Sequence, residues 1–325
     1  MELVRRKFLA LAAGAAALPA ASRFPWAQDY PTRALRLMVA TAAGGGNDII
    51  ARLMGQVLSE RLGQPFVIEN RPGAGGNIGT EAVARAPADG HTLLLVSSGN
   101  ATNAALYDKL TFDFMRDIAP VAGIMRVPEI MALNPSVPAK TVPAFIAYSK
   151  ANPGKVNMGS GGIGSPSHLA GEMFKMMSGV EMVHVPYRGM ALALRDLLAG
   201  QVQIVIGSIP SMIEYVRAGT LRALGVTTAT RSEMLYDVPA IGESVPGYDT
   251  NQWYGIGVPS KTPIEIVDKL NKEIGATLAD PKLRARLADL GGTVFATSPA
   301  EFRQFIAAET EKWARVIKFA GIKPE

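Results

Sequence analysis

Two glycine-rich stretches decide how this chain folds: Ala43-Gly44-Gly45-Gly46-Asn47-Asp48 and Gly159-Ser160-Gly161-Gly162-Ile163-Gly164-Ser165. Each follows an apolar, strand-like run, 35–40 and 156–159, and each opens a segment of helical period. A strand that turns through glycines into a helix leaves backbone N–H groups unpaired at the positive helix end, where an anion binds. Two such turns in one chain predict a ligand held between two lobes.

The segments around these loops repeat the pattern. Over 48–62, Ile49, Ile50, Leu53, Met54, Val57 and Leu58 share one helical face, with Arg52, Gln56 and Glu60 on the other. Strand-like runs at 66–69 and 92–96 flank a helical stretch at 78–85. The alternation returns with runs at 182–185 and 202–206 and helical stretches at 168–177 and 192–198. This βαβ order predicts an α/β fold, a mostly parallel sheet covered by helices in each lobe. Thr262-Pro263-Ile264-Glu265 and Ser298-Pro299-Ala300-Glu301 each combine a hydroxyl N-cap, a first-turn Pro and a Glu. They predict covering helices over 263–278 and 299–319. The stretch 231–250, rich in turn residues and without period, reads as a crossing between lobes. The expected division is an export signal at 1–27, one lobe from 28–124 plus 246–325, and a second from 125–245.

The signal rests on the basic Arg5-Arg6-Lys7, the apolar stretch 8–18 and a small-residue cleavage point at Trp26-Ala27. Its apolar stretch is too short to span a bilayer, so export to the periplasm is expected. The paired arginines also resemble a twin-arginine signal, leaving the Sec and twin-arginine routes both open. Cleavage after Ala27 removes four basic residues and Glu2, so the formal net charge falls from +5 to +2. A nearly neutral mature domain weakens a nucleic-acid reading, which requires a basic stripe on the folded domain. Zero Cys excludes disulfides and thiolate metal sites.

Catalytic, metal and cofactor chemistry finds no foothold. Gly159-x-Gly161-x-x-Gly164 matches a dinucleotide fingerprint, but Pro186-Tyr187-Arg188 ends the next strand where a ribose-binding acid belongs. No Gly-Lys-Ser/Thr follows either loop, which excludes a P-loop. His91, His168 and His184 form no metal-ligand spacing. Ser165 and His168 lack a nucleophile elbow and an orienting acid, so no catalytic residue is assigned. Asp48 can cap its helix or bond a ligand amino group, and Asn47 can donate to a carboxylate. Asn77 reads as a helix cap rather than a contact. Ser97, Ser98, Gly207 and Ser208 close apolar strands, at the carboxyl ends where open parallel sheets bind ligands. His168 lies in the first turn after the second loop, placed to line the pocket or support its wall.

An ordered set of motifs then carries a resemblance over essentially the whole mature chain. It comprises Gly44-Gly45-Gly46-Asn47-Asp48, Glu69-Asn70-Arg71-Pro72-Gly73-Ala74-Gly75-Gly76, Ala88-Asp89-Gly90, Asn134-Pro135-Ser136, 164–172 and His184-Val185-Pro186-Tyr187. The chain resembles the tripartite tricarboxylate transporter substrate-binding proteins, the Bug family. The resemblance implies a periplasmic binding protein of the type II flytrap architecture, working with the transporter's membrane subunits. It also implies a small carboxylate, a di- or tricarboxylate or an aromatic acid, held by Gly45, Gly46 and Asn47 on one side and by Ser160, Gly162, Ser165 and His168 on the other. A monomer without cofactor is expected. A ligand-sensing receptor for a membrane histidine kinase would carry the same features, while a carboxylate-metabolising enzyme would need the catalytic set that is missing. Three departures from the family pattern stand out. Asn47 replaces the usual Thr or Ser, Gly207-Ser208 replaces a common Asp-Asn, and Met190 replaces a small or polar residue. Loss of the acid removes a partner for a ligand ammonium, which disfavours amino acids as ligands.

Overall fold

A computed structural model describes residues 30–107 and 109–323; the export signal read at 1–27 lies outside them. The chain begins with β1 (Leu35–Val39), passes the first glycine loop into α1 (Gly46–Leu62), and continues through β2 (Phe66–Asn70), α2 (Asn77–Ala84), β3 (Thr92–Ser97) and α3 (Ser98–Leu106). β2 and β3 flank β1 in parallel, with Leu35 opposite Phe66 and Leu37 opposite Leu93. Burial of Leu37, Met38, Leu93, Leu94 and Leu95 on both faces explains why these strands read as continuous apolar runs. In α1, Ile50, Leu53, Met54 and Leu58 are buried as expected, whereas Ile49 is 44% exposed. It lines a groove against Arg286 and Leu290 instead of the core.

A short α4 (Phe114–Asp117) leads into β4 (Ile118–Leu133), a 16-residue strand. After α5 (Val142–Ala151) the first pattern recurs: β5 (Asn157–Ser160), the second glycine loop, α6 (Pro166–Ser178), β6 (Val183–Pro186), α7 (Met190–Leu198), β7 (Ile204–Ser208) and α8 (Ile209–Arg217). β6 and β7 flank β5 in parallel. Both halves thus share one strand order, with the glycine loop leaving the middle strand of each trio.

Antiparallel strands join the halves. β4 pairs with β9 (Asn251–Pro259) from Ile118 to Pro128. From Glu129 onward its partners are β7 and β8 (Arg222–Val226). β8 and β9 lie on one line along β4, tied by a bond from Thr250 N–H to Thr227 O of 2.8 Å, with 228–249 looping out between them. After α9 (Ile264–Leu278), α10 (Pro281–Asp289) and β10 (Thr293–Val294), the chain ends in α11 (Pro299–Ala320). α11 packs on both α3 and α6 and buries Phe302, Ile306, Trp313 and Val316 in a core drawn from both halves.

The two capping sequences behave differently. Ser298 and Glu301 form the full reciprocal box of α11. Thr262 does not cap: its hydroxyl donates 2.7 Å to Pro259 O, a tight turn follows, and α9 begins one residue later than expected. Asn77 does not cap either. Gly76 occupies the cap position of α2, and the Asn77 carboxamide oxygen accepts from Asn103 Nδ2 at 3.1 Å.

Candidate functional site

In each trio the neighbours of the middle strand connect in opposite directions, so a crevice opens at the carboxyl ends, between β1 and β3 and between β5 and β7. That topology gathers the first glycine loop with Ser97 and Ser98 at the end of β3. It gathers the second loop with Gly207 and Ser208 at the end of β7. The two halves approach each other here. A Cβ placed on Gly164 of the second loop would stand 3.1 Å from Leu106 of α3.

The first loop is open. Gly44 takes φ +83°, a conformation glycine adopts without strain, and swings the chain so that Gly45 can cap α1 with extended angles. Asp48, buried in the first turn, accepts from Gly44 N–H and from Arg52 Nε, both at 2.9 Å. These bonds hold its carboxyl down at about 2, the Arg52 bond contributing most. Asp48 therefore braces the loop from behind. Gly45 and Gly46 are exposed and Asn47 half-buried, and the first N–H groups of α1 have no acceptor within the helix. The Tyr254 hydroxyl lies beside the loop, 3.3 Å from where a Gly46 Cβ would be. Asn47 Nδ2 reaches Ser97 Oγ at 3.5 Å, tying the loop to β3. Ser98 is buried and its carbonyl accepts from Thr102.

The second loop, by contrast, satisfies its own donors. Gly161 N–H donates to Ser167 Oγ at 3.0 Å, Gly162 N–H to Ser160 Oγ at 3.2 Å, and Gly164 N–H to His168 Nδ1 at 3.0 Å. Ser165 caps α6 through its hydroxyl, which also donates to Gly162 O at 2.7 Å. Ser160 is fully buried, its hydroxyl 2.6 Å from His184 Nε2. His168, 5% exposed, stacks on His184 with centroids 3.6 Å apart. Because a backbone N–H can only donate, His168 Nδ1 carries no proton, and Nε2 faces Glu172 Oε1 at 3.7 Å. Burial pushes Glu172 up, and His168 and Lys175 more than offset it, leaving the carboxyl below its ordinary value. Burial, seconded by His168, lowers His184 to about 4. His168 and Ser160 thus shape the loop from within, while Ser165 and Gly162 stay half-buried at its surface.

On the far wall Gly207 is buried under two methionines: a Cβ there would lie 3.2 Å from Met212 Cε and 3.3 Å from Met190 Sδ. The two departures at 190 and 207 are therefore one feature, a thioether filling the space beside a missing side chain. The Ser208 hydroxyl donates to Ser211 Oγ at 3.0 Å, and its carbonyl accepts from the Ser211 hydroxyl at 2.7 Å.

Sequence reasoning passed over Gln252, Tyr254 and Glu129. Glu129 is 2% exposed where β4 changes partners. Its signal was present in the sequence as a lone carboxylate inside the apolar run 118–133. Among the described residues, no cluster of three His, Asp or Glu is arranged to hold a metal. No described helix is long and apolar enough to cross a membrane.

A two-lobed α/β architecture with uncommitted backbone donors at one strand-end crevice defines a solute-binding receptor of the periplasmic binding protein class. The model of the tripartite tricarboxylate transporter family receptor matches residues 50–322, and the chain belongs to that family. The family is one of periplasmic solute receptors, not of enzymes. The chain is 35% identical over 300 residues to Protein BugT of Bordetella pertussis, covering 91% of this chain and 92% of BugT. Among solved structures it resembles Rpa4515 of R. palustris with adipate, at 40% identity and a TM-score of 0.78, covering 91% of this chain and all of that one. It also resembles MatC of Rhodopseudomonas palustris with bound malate, at 31% identity and a TM-score of 0.73, covering 89% of this chain and all of that one.

Proposed function

We propose that this chain is an exported receptor that captures a small carboxylate between two lobes and presents it to the membrane subunits of a tripartite tricarboxylate-type transporter. The observation that carries this reading is the contrast between the loops. Gly45, Gly46 and Asn47 offer N–H groups at a helix N-terminus, whereas the N–H groups of Gly161, Gly162 and Gly164 are engaged. Neutral backbone donors give a carboxylate charge-assisted bonds and leave no unpaired cation when the site is empty. The carboxylate accordingly sits on the first loop. The second loop, with Gly162, Ser165, Gly207 and Ser208, closes over the rest of the molecule, and Ser160 and His168 hold that loop's shape.

Adipate and malate in the structures of relatives fit the same chemistry, two carboxylates on a short carbon chain. The Met190 thioether against Gly207 supplies an apolar wall and no counter-charge for an ammonium group. The ligand is thus a plain carboxylate rather than an amino acid. The exchange of strand partners along β4 between Pro128 and Glu129 supports a division of the chain into one lobe from 28–124 plus 246–325 and a second from 125–245. The receptor works as a monomer, without nucleic acid, after removal of its N-terminal signal.

A thermal-shift screen of mature protein against acetate, malate, adipate, citrate and benzoate tests this. A ligand at ~100 times its Kd stabilises by about 2.7 kcal/mol. Solution scattering should then show compaction. No stabilisation by any of these acids would refute the reading.

A further inference from the structure

Glu129 stands where both chain crossings meet. Pro128 pairs with Asn251 on β9, and the next residue, Glu129, pairs with Ser208 on β7. Its backbone is clamped: the N–H donates to Thr227 Oγ1 at 2.9 Å, and the carbonyl accepts from Thr227 N–H at 2.9 Å. Its carboxylate is not. Among the described residues its one hydrogen bond is a long one, accepted from Gln252 Nε2 at 3.5 Å. Gln252 Oε1 in turn accepts from the Tyr254 hydroxyl at 3.1 Å, and that hydroxyl stands 3.3 Å from where a Cβ on Gly46 of the first loop would be. Three side chains therefore run from the crossing to the anion cradle.

No cation compensates Glu129 among the described residues. The ionisable groups around it are Tyr254 on β9 and Tyr248 in the loop before it, both pushed up by burial and then by the Glu129 charge. Asp249 adjoins Tyr248 and adds negative charge. Arg126, three residues earlier on β4, is stacked on Phe295 and Phe305, and its charge acts on Asp249 and Glu309. A buried carboxylate with one weak donor is costly to keep ionised. Burial pushes Glu129 up to about 7, against the opposing Gln252 bond.

We propose that Glu129 is a positioning residue of the ligand site that takes up one proton from solvent when a carboxylate occupies the first loop. The inference rests on the carboxylate reading, since the incoming anion is what disfavours a second negative charge nearby. The balance is one ligand carboxylate, one Glu129 carboxylate and one solvent proton giving a complex in which Glu129 is neutral. Ionised Glu129 requires Gln252 to turn its amide N–H toward it and its oxygen toward Tyr254. Protonated Glu129 can instead donate to that oxygen, so the amide reverses and the Tyr254 hydroxyl is released to donate to the anion above Gly46.

Calorimetric titration of mature protein with malate and with benzoate tests this, at about pH 6 and about pH 8, using HEPES and Tris at the higher pH. A group near 7 that must be protonated in the complex gives about tenfold weaker binding at about pH 8 than at about pH 6. The buffer-dependent heats should then report uptake approaching about one proton per ligand at the higher pH. Glu129→Gln should abolish both effects and bind at the higher pH as wild type does at the lower. Tyr254→Phe should weaken binding while keeping proton uptake. Equal affinity at both pH values with no proton uptake by wild type overturns the proposal and leaves the carboxylate reading standing, whether or not either variant folds. Failure of malate, benzoate, acetate, adipate and citrate all to bind at either pH overturns both.

Discussion

Gly207→Asp tests whether the methionine-covered wall excludes an acid. The glycine is buried, and a Cβ meets Met212 Cε at 3.2 Å and Met190 Cε and Sδ at 3.3 Å. The Cβ alone forces the thioethers aside, and the atoms nearest to it are methionine carbons and sulfur rather than a cation. Overpacking of this kind costs about 1–3 kcal/mol, and an unpaired buried carboxylate adds to it. A total near ~3 kcal/mol should lower Tm by roughly 5–10 °C for a chain of this size. A buried, unpaired Asp has its folded pKa raised above its unfolded value. The folded state then holds the proton more tightly, so the deficit should grow as pH rises above about 4. Met190→Ala in the same chain opens the space, and the pair should show a coupling of about 1–2 kcal/mol. The double variant should also gain affinity for aspartate relative to succinate, because the wall now holds a partner for an ammonium. Thermal denaturation of the four proteins at neutral and mildly acidic pH measures all of this. A Gly207→Asp variant as stable as wild type, with no rescue by Met190→Ala, would falsify the packing account.

Gly46→Val should weaken carboxylate binding by at least tenfold, about 1.4 kcal/mol, in a protein that still folds, since the new side chain stands over Tyr254 and blocks the loop surface; calorimetry on the folded variant checks this. His168→Ala strands the Gly164 N–H and unstacks His184, and the loss of a buried acceptor should destabilise by about 1–3 kcal/mol in denaturant melts, whereas His168→Gln, which can still accept, should cost less. Ser298→Ala removes a reciprocal cap and should cost about 1 kcal/mol, with a visible loss of helicity at the start of α11. Asp48 has a folded value of about 2, below its unfolded range, so its contribution is present above about pH 4 and lost as pH falls through about 2; Asp48→Asn should flatten that part of the Tm-versus-pH curve.

The parts of the fold legible in the sequence were those where one local pattern met one structural demand. β1 and β5 are each followed by a glycine-rich turn that leads into a helix, and both loops emerged where expected. The Ser298 box worked because every partner lies within four residues. β4 escaped because Pro120, Gly123 and Pro128 break its pattern, and two register shifts let it bend across both halves. α3, built from small and polar residues, carries no apolar stripe. Its Asn100 and Asn103 are ordered instead by bonds to Ser97 N–H, Thr80, Asn77 and Gly75, contacts that only the tertiary fold supplies. For the same reason the two glycine loops looked alike in sequence. That His168, Ser167 and Ser160 turn back to occupy the N–H groups of the second one depends on side-chain directions that spacing does not carry.

The account's central claim is that the anion rests on the first loop and not on the second. Backbone amide shifts of labelled protein, followed during titration with whichever acid stabilises it in the thermal screen, test it most directly. Gly45, Gly46 and Asn47 should move downfield as their N–H groups gain a charged acceptor, while Gly161 and Gly164 keep the shifts of amides already bonded to Ser167 and His168. Large downfield shifts at Gly161, Gly162 and Gly164 with none at 45–47 would contradict it.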